Sequence, residues 1–244
     1  MQRVHPRVVS LLPSATEIVG HLGLKEFLVG VSHECDLLPD QKSMSDMLAN
    51  NTCRRVTTSE IDPHIMSQED IHTKVLGFLR KGDSIYHIIE NELNVANPTV
   101  ILTQSLCDVC APSTAQVQSA YKLPQTCSLN SNDLFKEEVL PLATASKTPL
   151  IINLQPSTLN DVADTFSVIS NAIADSTDLG EELKIKFQEN LTRISNCTKS
   201  LSSESSRPSC VMLEWTDPLF DGGHWIPDMM DIANVTPFIF NVFF

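Results

Sequence analysis

The sequence predicts an α/β fold made of a doubly wound parallel sheet lobe, a long linking helix and an incomplete second α/β lobe. Three observations predict it. Short β-branched apolar runs alternate with helical apolar spacing through an N-terminal α/β lobe, residues 1–157. Apolar residues at helical spacing then continue over 158–203, which predicts a linking backbone helix with an irregularity near Asp178–Gly180. One more strand pattern opens residues 204–244, the truncated start of a C-terminal lobe.

Each predicted strand is a run of β-branched and apolar residues bounded by turn residues. The predicted strands are 7–12, 27–31, 99–103, 150–154 and 210–214. After the first strand, Ser14 and Glu17 have the spacing of a capping box, which predicts a helix over 15–22. Gly23 is placed to end that helix.

The remaining segments are assigned by apolar spacing and by turn residues. Apolar residues at helical intervals predict helices over 71–79, 85–93 and 113–122. Proline, asparagine, serine and threonine are frequent in 36–65, which is therefore predicted to be mostly loop, and the less regular 124–148 is assigned the same way.

The charge and hydrophobicity of the chain argue against several classes of binding partner. The net charge is −13, from 30 acidic and 17 basic residues, which argues against binding nucleic acid or an anionic membrane surface. No stretch approaches the roughly 20 apolar residues that cross a bilayer, so membrane insertion is not expected. The N-terminal residues lack the apolar core of a signal peptide, so a cytoplasmic location is expected. Seven cysteines cannot all pair within one chain, which favours reduced thiols.

Polar, soft and aromatic side chains recur where predicted strands end. They are His33, Glu34, Cys35, Cys107, Cys110, Glu214, Trp215, His224 and Trp225. In an open α/β sheet, ligands bind beyond the carboxyl ends of the strands. These nine residues are therefore the candidate ligand-binding residues.

Five of these residues are also candidate metal ligands. Cys107 and Cys110 have the spacing of half a zinc site, and His33, Cys35 and His224 could complete it. Three interpretations of the cysteine pair stay open: packed structural thiols, metal ligands, or a redox dithiol. Each histidine could equally contact a ligand or make structural hydrogen bonds.

The two tryptophans have two interpretations as well. Trp215 and Trp225 could offer flat apolar surfaces to a macrocyclic ligand, or they could pack in a core.

Several runs resemble the cobalamin-binding branch of the class III, helical-backbone periplasmic binding proteins. They are Val8–Glu17 (VVSLLPSATE), Val29–Asp36 (VGVSHECD), Leu213–Phe220 (LEWTDPLF) and Gly223–Pro227 (GHWIP), and the resemblance covers nearly the whole chain. It implies two α/β lobes bridged by one long helix, with a small-molecule ligand held in the cleft between them. It also implies that the residues after the second strand face the ligand.

From the resemblance we expect that this chain is a non-enzymatic binding protein. Its ligand would be a corrinoid, such as cobalamin, or a related metal-containing tetrapyrrole. His33 or His224 could coordinate the central metal while the tryptophans pack on the ring. The alternative is a zinc- or iron-binding protein that uses His33, Cys35, Cys107 and Cys110. A third hypothesis is a cryptic enzyme with Glu34 or Glu214 as base and a cysteine nucleophile, although no catalytic triad or phosphate loop supports it.

Two further expectations concern the whole protein. Secreted members of the family dock to a membrane permease, but the lack of a visible leader weakens the expectation of a permease partner. The family pattern continues beyond the point where 204–244 stops. We therefore expect this form to bind its ligand weakly and to aggregate through the apolar residues 238–244.

Overall fold

The computed structural model describes most of the chain. The described residues are 5–36, 44–81, 83–104, 112–120, 128–130, 148–201, 207–216 and 219–238. Contacts divide the chain into two compact units. Unit 1 comprises Met1–Gln155 and Val168–Thr177, and unit 2 comprises Pro156–Ser167 and Asp178–Phe244. Among the described residues, no helix combines the length and apolarity needed to cross a bilayer.

Unit 1 contains most of the secondary structure. Its elements are β1 (Val8–Ser10), α1 (Pro13–His21), a 3-10 helix (Lys25–Phe27), β2 (Leu28–Val31), α2 (Met44–Ala49), β3 (Arg54–Arg55), β4 (Thr57–Ser59), α3 (Gln68–Lys81), β5 (Tyr86–Ile88), α4 (Glu90–Ala96), β6 (Val100–Thr103), α5 (Thr114–Ala120), β7 (Ser128–Asn130) and β8 (Leu150–Asn153). A sheet in the order β3-β2-β1-β6-β8-β7 is parallel throughout. The order reverses between β1 and β6, which confirms the predicted doubly wound parallel sheet.

The core lies around the central strands. All three residues of β1 and all four of β6 are buried, as expected for parallel strands covered on both faces. One core cluster joins strands and helices of unit 1: Val9, Leu11, Val56, Leu93, Ala96, Ile101, Val117 and Ile151. Because both faces of these strands are buried, their sequences are uninterrupted apolar runs, and this pattern predicted them.

The first helix ends as predicted but begins differently. Gly23 has φ +74°, and its N–H donates to the carbonyl of Gly20 at 3.0 Å, so glycine ends the helix. The expected cap at Ser14 is wrong. Pro13 occupies the first turn, the cap position belongs to Leu12, and no side chain caps the helix. Proline favours this position because its φ is already helical and its missing N–H needs no partner there.

Two other segments differ from the prediction. Residues 36–65 were expected to be mostly loop, and the three short elements α2, β3 and β4 lie within them without having been predicted. Residues 85–93 were expected to be helical, yet β5 precedes α4 there, and β5 pairs with β4 in an antiparallel two-stranded sheet. These strands have two or three residues each, too few to show periodicity, so pairing with neighbours defines them.

Two helices occupy the region where one long helix was predicted. They are α6 (Leu159–Ala174) and α7 (Asp178–Leu201), and Asp175 between them has φ +55°. Gly180 is buried against Ser167, and a Cβ at Gly180 would lie 2.3 Å from the Ser167 Cα. The rings of Phe166 and Phe187 meet edge-on, with centroids 5.5 Å apart. The helical periodicity was correct, and the break between Ala174 and Asp178 lies directly before the irregularity expected near Asp178–Gly180. The boundaries at 157 and 203 stay a prediction.

The rest of unit 2 has little core. It contains β9 (Ser209–Cys210), β10 (Leu213–Thr216), β11 (Leu219–Asp221), α8 (Ile226–Ile232) and β12 (Thr236–Pro237). β9 pairs in parallel with β12, and β10 pairs antiparallel with β11. Of the described residues from 207 onward, Asn234 alone is buried. Large apolar side chains exposed there are Val211, Met212, Leu213, Leu219, Met229 and Phe238.

Four cysteines lie in the described part of the chain, and none forms a disulfide. Cys35 and Cys53 are buried, whereas Cys197 and Cys210 are exposed. Burial raises the pKa of the Cys53 thiol to about 12, so this thiol stays protonated near neutral pH.

The close packing at Gly180 leads to a stability prediction. Gly180→Ala should lower the free energy of unfolding by about 2 kcal/mol, because the added methyl overlaps backbone atoms of Ser167. Gly77→Ala is a matched control in α3, where nothing lies within 4 Å of the added Cβ. It should leave stability unchanged or raise it by roughly 0.5–1 kcal/mol. Urea unfolding followed by circular dichroism measures both values, and equal effects would contradict the packing described here.

The burial of the thiols predicts their reactivity. Iodoacetamide at pH 8 should alkylate Cys197 and Cys210 in the folded protein, whereas Cys35 and Cys53 should react only after unfolding. Peptide mapping by mass spectrometry gives the extent of modification at each position. Rapid alkylation of Cys53 in the folded protein would show that its thiol is accessible to solvent and would contradict its burial.

Candidate functional site

The candidate site in unit 1 lies at the carboxyl edge of the parallel sheet. β2 runs directly into Ser32–Asp36, which we call the His33 turn. At the end of β6, the Thr103 hydroxyl donates to the carbonyl of Pro112 at 2.5 Å. This hydrogen bond places Pro112 beside the end of β6. The intervening Cys107 and Cys110 lie outside the described residues, so their roles stay predictions.

The His33 side chain is oriented by Thr57 of β4. The main-chain N–H of His33 donates to Thr57 Oγ1 at 3.0 Å, and His33 Nδ1 lies 2.9 Å from the same oxygen. The imidazole ring also lies beside the ring of Tyr86 on β5, with centroids 5.2 Å apart. His33 is thus held by both strands of the small β4–β5 sheet.

The second imidazole nitrogen has no hydrogen-bond partner in the part of the chain that the structure describes. Nε2 is buried and lies 3.3 Å from Glu34 Oε1, but the geometry is not that of a hydrogen bond. Burial holds the pKa of His33 below 6.5, although the Glu34 carboxylate acts in the opposite direction. The imidazole is therefore neutral near pH 7, which is the form that binds metals.

Arg55 of β3 braces the His33 turn. Its Nη1 donates to the carbonyls of Ser32 at 2.8 Å and His33 at 2.6 Å, and its Nη2 donates to Asp36 Oδ1 at 3.1 Å. The sequence reasoning missed this residue together with Thr57 and Tyr86. The arginine doublet in a strongly acidic chain was the one signal that could have drawn attention to it.

Cys35 lies at the inner side of the same turn. Only 1% of the residue is exposed, and its Sγ lies 3.1 Å from Thr16 Oγ1 and 3.2 Å from Ser32 Oγ. The Thr16 hydroxyl donates to the carbonyl of Leu12, so it can accept a hydrogen bond from the thiol. The thiol thus links the turn to α1. Its role as ligand contact or metal ligand stays a prediction.

The remaining candidates lie in unit 2. Glu214 is exposed and Trp215 is half-buried on β10. His224 is exposed with φ +53°, and Trp225 is half-buried at the start of α8. The ring centroids of His224 and Trp225, which are neighbours in sequence, lie 5.9 Å apart. Within the described residues, no group of three or more histidine, cysteine or acidic side chains could hold a metal ion.

The lowered pKa of His33 predicts a pH dependence of stability. Because the unfolded chain binds a proton at its ordinary pKa of 6.5 and the folded chain only at lower pH, unfolding takes up a proton between the two values. The stability from neutral His33 is therefore complete above pH 6.5 and decreases as pH falls through 6.5 toward the lowered pKa.

His33→Gln keeps a hydrogen-bonding side chain but cannot titrate. Urea unfolding at several pH values should show a steeper loss of stability below pH 6.5 in the wild type than in this variant. Parallel pH profiles would contradict the buried, neutral imidazole.

Comparisons with known proteins were informative only at the level of structure. No protein-family model matches the sequence, and no curated protein sequence matches it. A solved structure of a possible iron-binding, periplasmic solute-binding protein from Staphylococcus epidermidis matches with a TM-score of 0.55 and 19% identity. The match covers 96% of this chain and 67% of that chain.

Two other solved structures are similar in the same way. The apo form of the periplasmic haem-binding protein RhuT from Roseiflexus sp. RS-1 has a TM-score of 0.56 and 16% identity, covering 95% of this chain and 64% of that chain. The periplasmic vitamin B12 binding protein BtuF of Vibrio cholerae has a TM-score of 0.52 and 16% identity. That match covers 95% of this chain and 65% of that chain. The chain thus spans about two thirds of the length of these proteins.

These comparisons correct one prediction. The expected cytoplasmic location is wrong, because the neighbours that share the fold are periplasmic binding proteins. A leader is removed from a mature exported protein, so its absence from a sequence does not indicate the cytoplasm. The neighbours are solute-binding proteins and not enzymes, in agreement with the predicted non-enzymatic role. The chain has the fold of the class III periplasmic solute-binding proteins.

Proposed function

We propose that this chain is a binding protein for a metal-containing tetrapyrrole, with a corrinoid such as cobalamin as the first candidate. The observation that carries the proposal is the Nε2 atom of His33 at the carboxyl edge of the sheet, which is buried and has no hydrogen-bond partner among the described residues. Cobalt and iron both accept a neutral imidazole as ligand.

The surroundings of His33 suit this role. A ligating imidazole works best when its other nitrogen is held by a hydrogen bond, and Thr57 Oγ1 is 2.9 Å from Nδ1. In a complex, Nδ1–H would donate to Thr57 and leave the lone pair of Nε2 for the metal. The nearby Tyr86 ring adds an aromatic surface of the kind that packs on a macrocycle. Glu34 would contact the ligand from the same turn.

Two of the named neighbours support the same class of ligand, since they are described as binding haem and vitamin B12. The third is described as a possible iron-binding protein, which fits the alternative below. A membrane permease is a proposed partner, because another solved structure of similar fold is an ABC transporter substrate-binding protein from Listeria monocytogenes. In unit 2, Glu214, Trp215, His224 and Trp225 are proposed as further ligand contacts.

The alternative zinc or iron site without a macrocycle needs His33, Cys35, Cys107 and Cys110. The Cys35 sulfur is already enclosed by two hydroxyl groups, so it would have to leave them to reach a metal. A tetrapyrrole supplies four ligands of its own and leaves at most two positions for the protein, and one suitable imidazole is present. We therefore favour the tetrapyrrole.

Absorbance titration of the purified protein with cobalamin, cobinamide, haem and zinc tests the proposal. We expect saturable spectral changes with at least one of the three tetrapyrroles, because an axial imidazole perturbs the metal's absorption bands. His33→Ala should weaken binding at least about tenfold, equivalent to roughly 1.4 kcal/mol.

His87→Ala is the matched control, because His87 lies next to Tyr86 on β5 but is 49% exposed and faces Glu60. It should leave affinity unchanged. Binding of zinc without any tetrapyrrole would favour the alternative function, and equal affinities of wild type and His33→Ala would exclude His33 as the ligand.

A further inference from the structure

We infer that Arg55 is a positioning residue that holds the His33 turn in its ligand-binding conformation. Its consequence for ligand affinity rests on the proposed function, whereas its effect on the turn can be measured without a ligand. The inference starts from three hydrogen bonds that one guanidinium group makes to the turn.

The three contacts fix both ends of the turn. Nη1 reaches the carbonyls of Ser32 and His33, where the chain leaves β2, and Nη2 reaches the carboxylate of Asp36, where the turn ends. The planar guanidinium presents its N–H groups in a fixed fork, so these contacts set the orientation of the turn as well as its position. Lysine has a single ammonium and cannot reproduce the fork.

Arg55 is itself held by the sheet. In the parallel register of β2 and β3, Arg55 lies opposite Val31, and the N–H of Val56 donates to the carbonyl of Val31 at 3.0 Å. The Arg55 backbone is therefore fixed beside the last residue of β2, immediately before the turn. From β3, its side chain reaches across the end of β2 to the first residues of the His33 turn.

The adjacent Arg54 offers a matched comparison. Successive side chains of a strand point to opposite faces, and Arg54 makes its ion pair with Glu92 of α4 at 2.7 Å. The two arginines have similar side-chain exposure, 32% and 35%. Each makes charged hydrogen bonds, but only Arg55 has hydrogen bonds to the His33 turn in the described structure. Replacing either arginine would lower the stability of the protein in general. Only replacement of Arg55 would also release the His33 turn from its position.

The first measurement is amide hydrogen exchange of the ligand-free protein. Arg55→Ala should accelerate exchange of the amides of Glu34 and Cys35, which bond to Ser32 within the turn, and Arg54→Ala should not. Arg55→Lys should give an intermediate rate and serves as the folded variant if Arg55→Ala does not fold. Low millimolar guanidinium chloride should partly restore protection in Arg55→Ala. Equal exchange in the Arg54 and Arg55 variants would overturn the inference.

The second measurement is absorbance titration with cobalamin and haem. Arg55→Ala should weaken binding about 10- to 100-fold, the usual loss when a residue that orients a metal ligand is removed, while Arg54→Ala should bind like the wild type. Unchanged affinity in Arg55→Ala would overturn the inference. Failure of the wild type to bind any tetrapyrrole, together with faster exchange in Arg55→Ala, would refute the proposed function and still support Arg55 as the residue that positions the turn.

Discussion

The parallel pairing of β2, β1 and β6 is the constraint on which the rest of unit 1 depends. Val9 pairs with Gly30 on one side and Ile101 on the other, so all three strands end at one edge. The pairing requires close packing: a Cβ at Gly30 would lie 2.9 Å from side-chain atoms of both Val9 and Val56. Because parallel strands share their direction, the loops that follow them share an edge, and the His33 turn arises there as a consequence of the sheet.

The His33 turn combines rigidity with one unsatisfied group. Thr16 from α1, Arg55 from β3 and Thr57 from β4 each hold it from a different element. Backbone groups and one imidazole nitrogen are thereby satisfied, while no described residue forms a hydrogen bond with the other nitrogen. A buried polar atom without a partner costs free energy, and such a cost is tolerated where a ligand supplies the partner. This balance is what makes the turn a candidate binding site.

From Arg207 onward, the described part of unit 2 is organised by polar contacts more than by apolar packing. Arg207 binds Asp231 at 2.9 Å and the Val235 carbonyl at 2.8 Å, and Thr198 donates to the carbonyl of Ile232 at 2.7 Å. These contacts lie at the surface or are partly buried, so each contributes little to stability. Side chains placed by such contacts are less preorganised for a ligand than those of the His33 turn.

The sequence by itself determined the class of fold and the position of His33, since buried parallel strands must be continuous apolar runs and their carboxyl ends follow directly. Only the tertiary structure decided where the short strands β3, β4 and β5 form, because their partners and not their own periodicity define them. It also decided that Cys35 packs against α1 and that Arg55 reaches the turn from another strand. Contacts between residues distant in sequence have no local signature. The sequence indicated an irregularity near Asp178–Gly180, but only the structure shows that it is a complete break, with α6 ending at Ala174 and α7 beginning at Asp178.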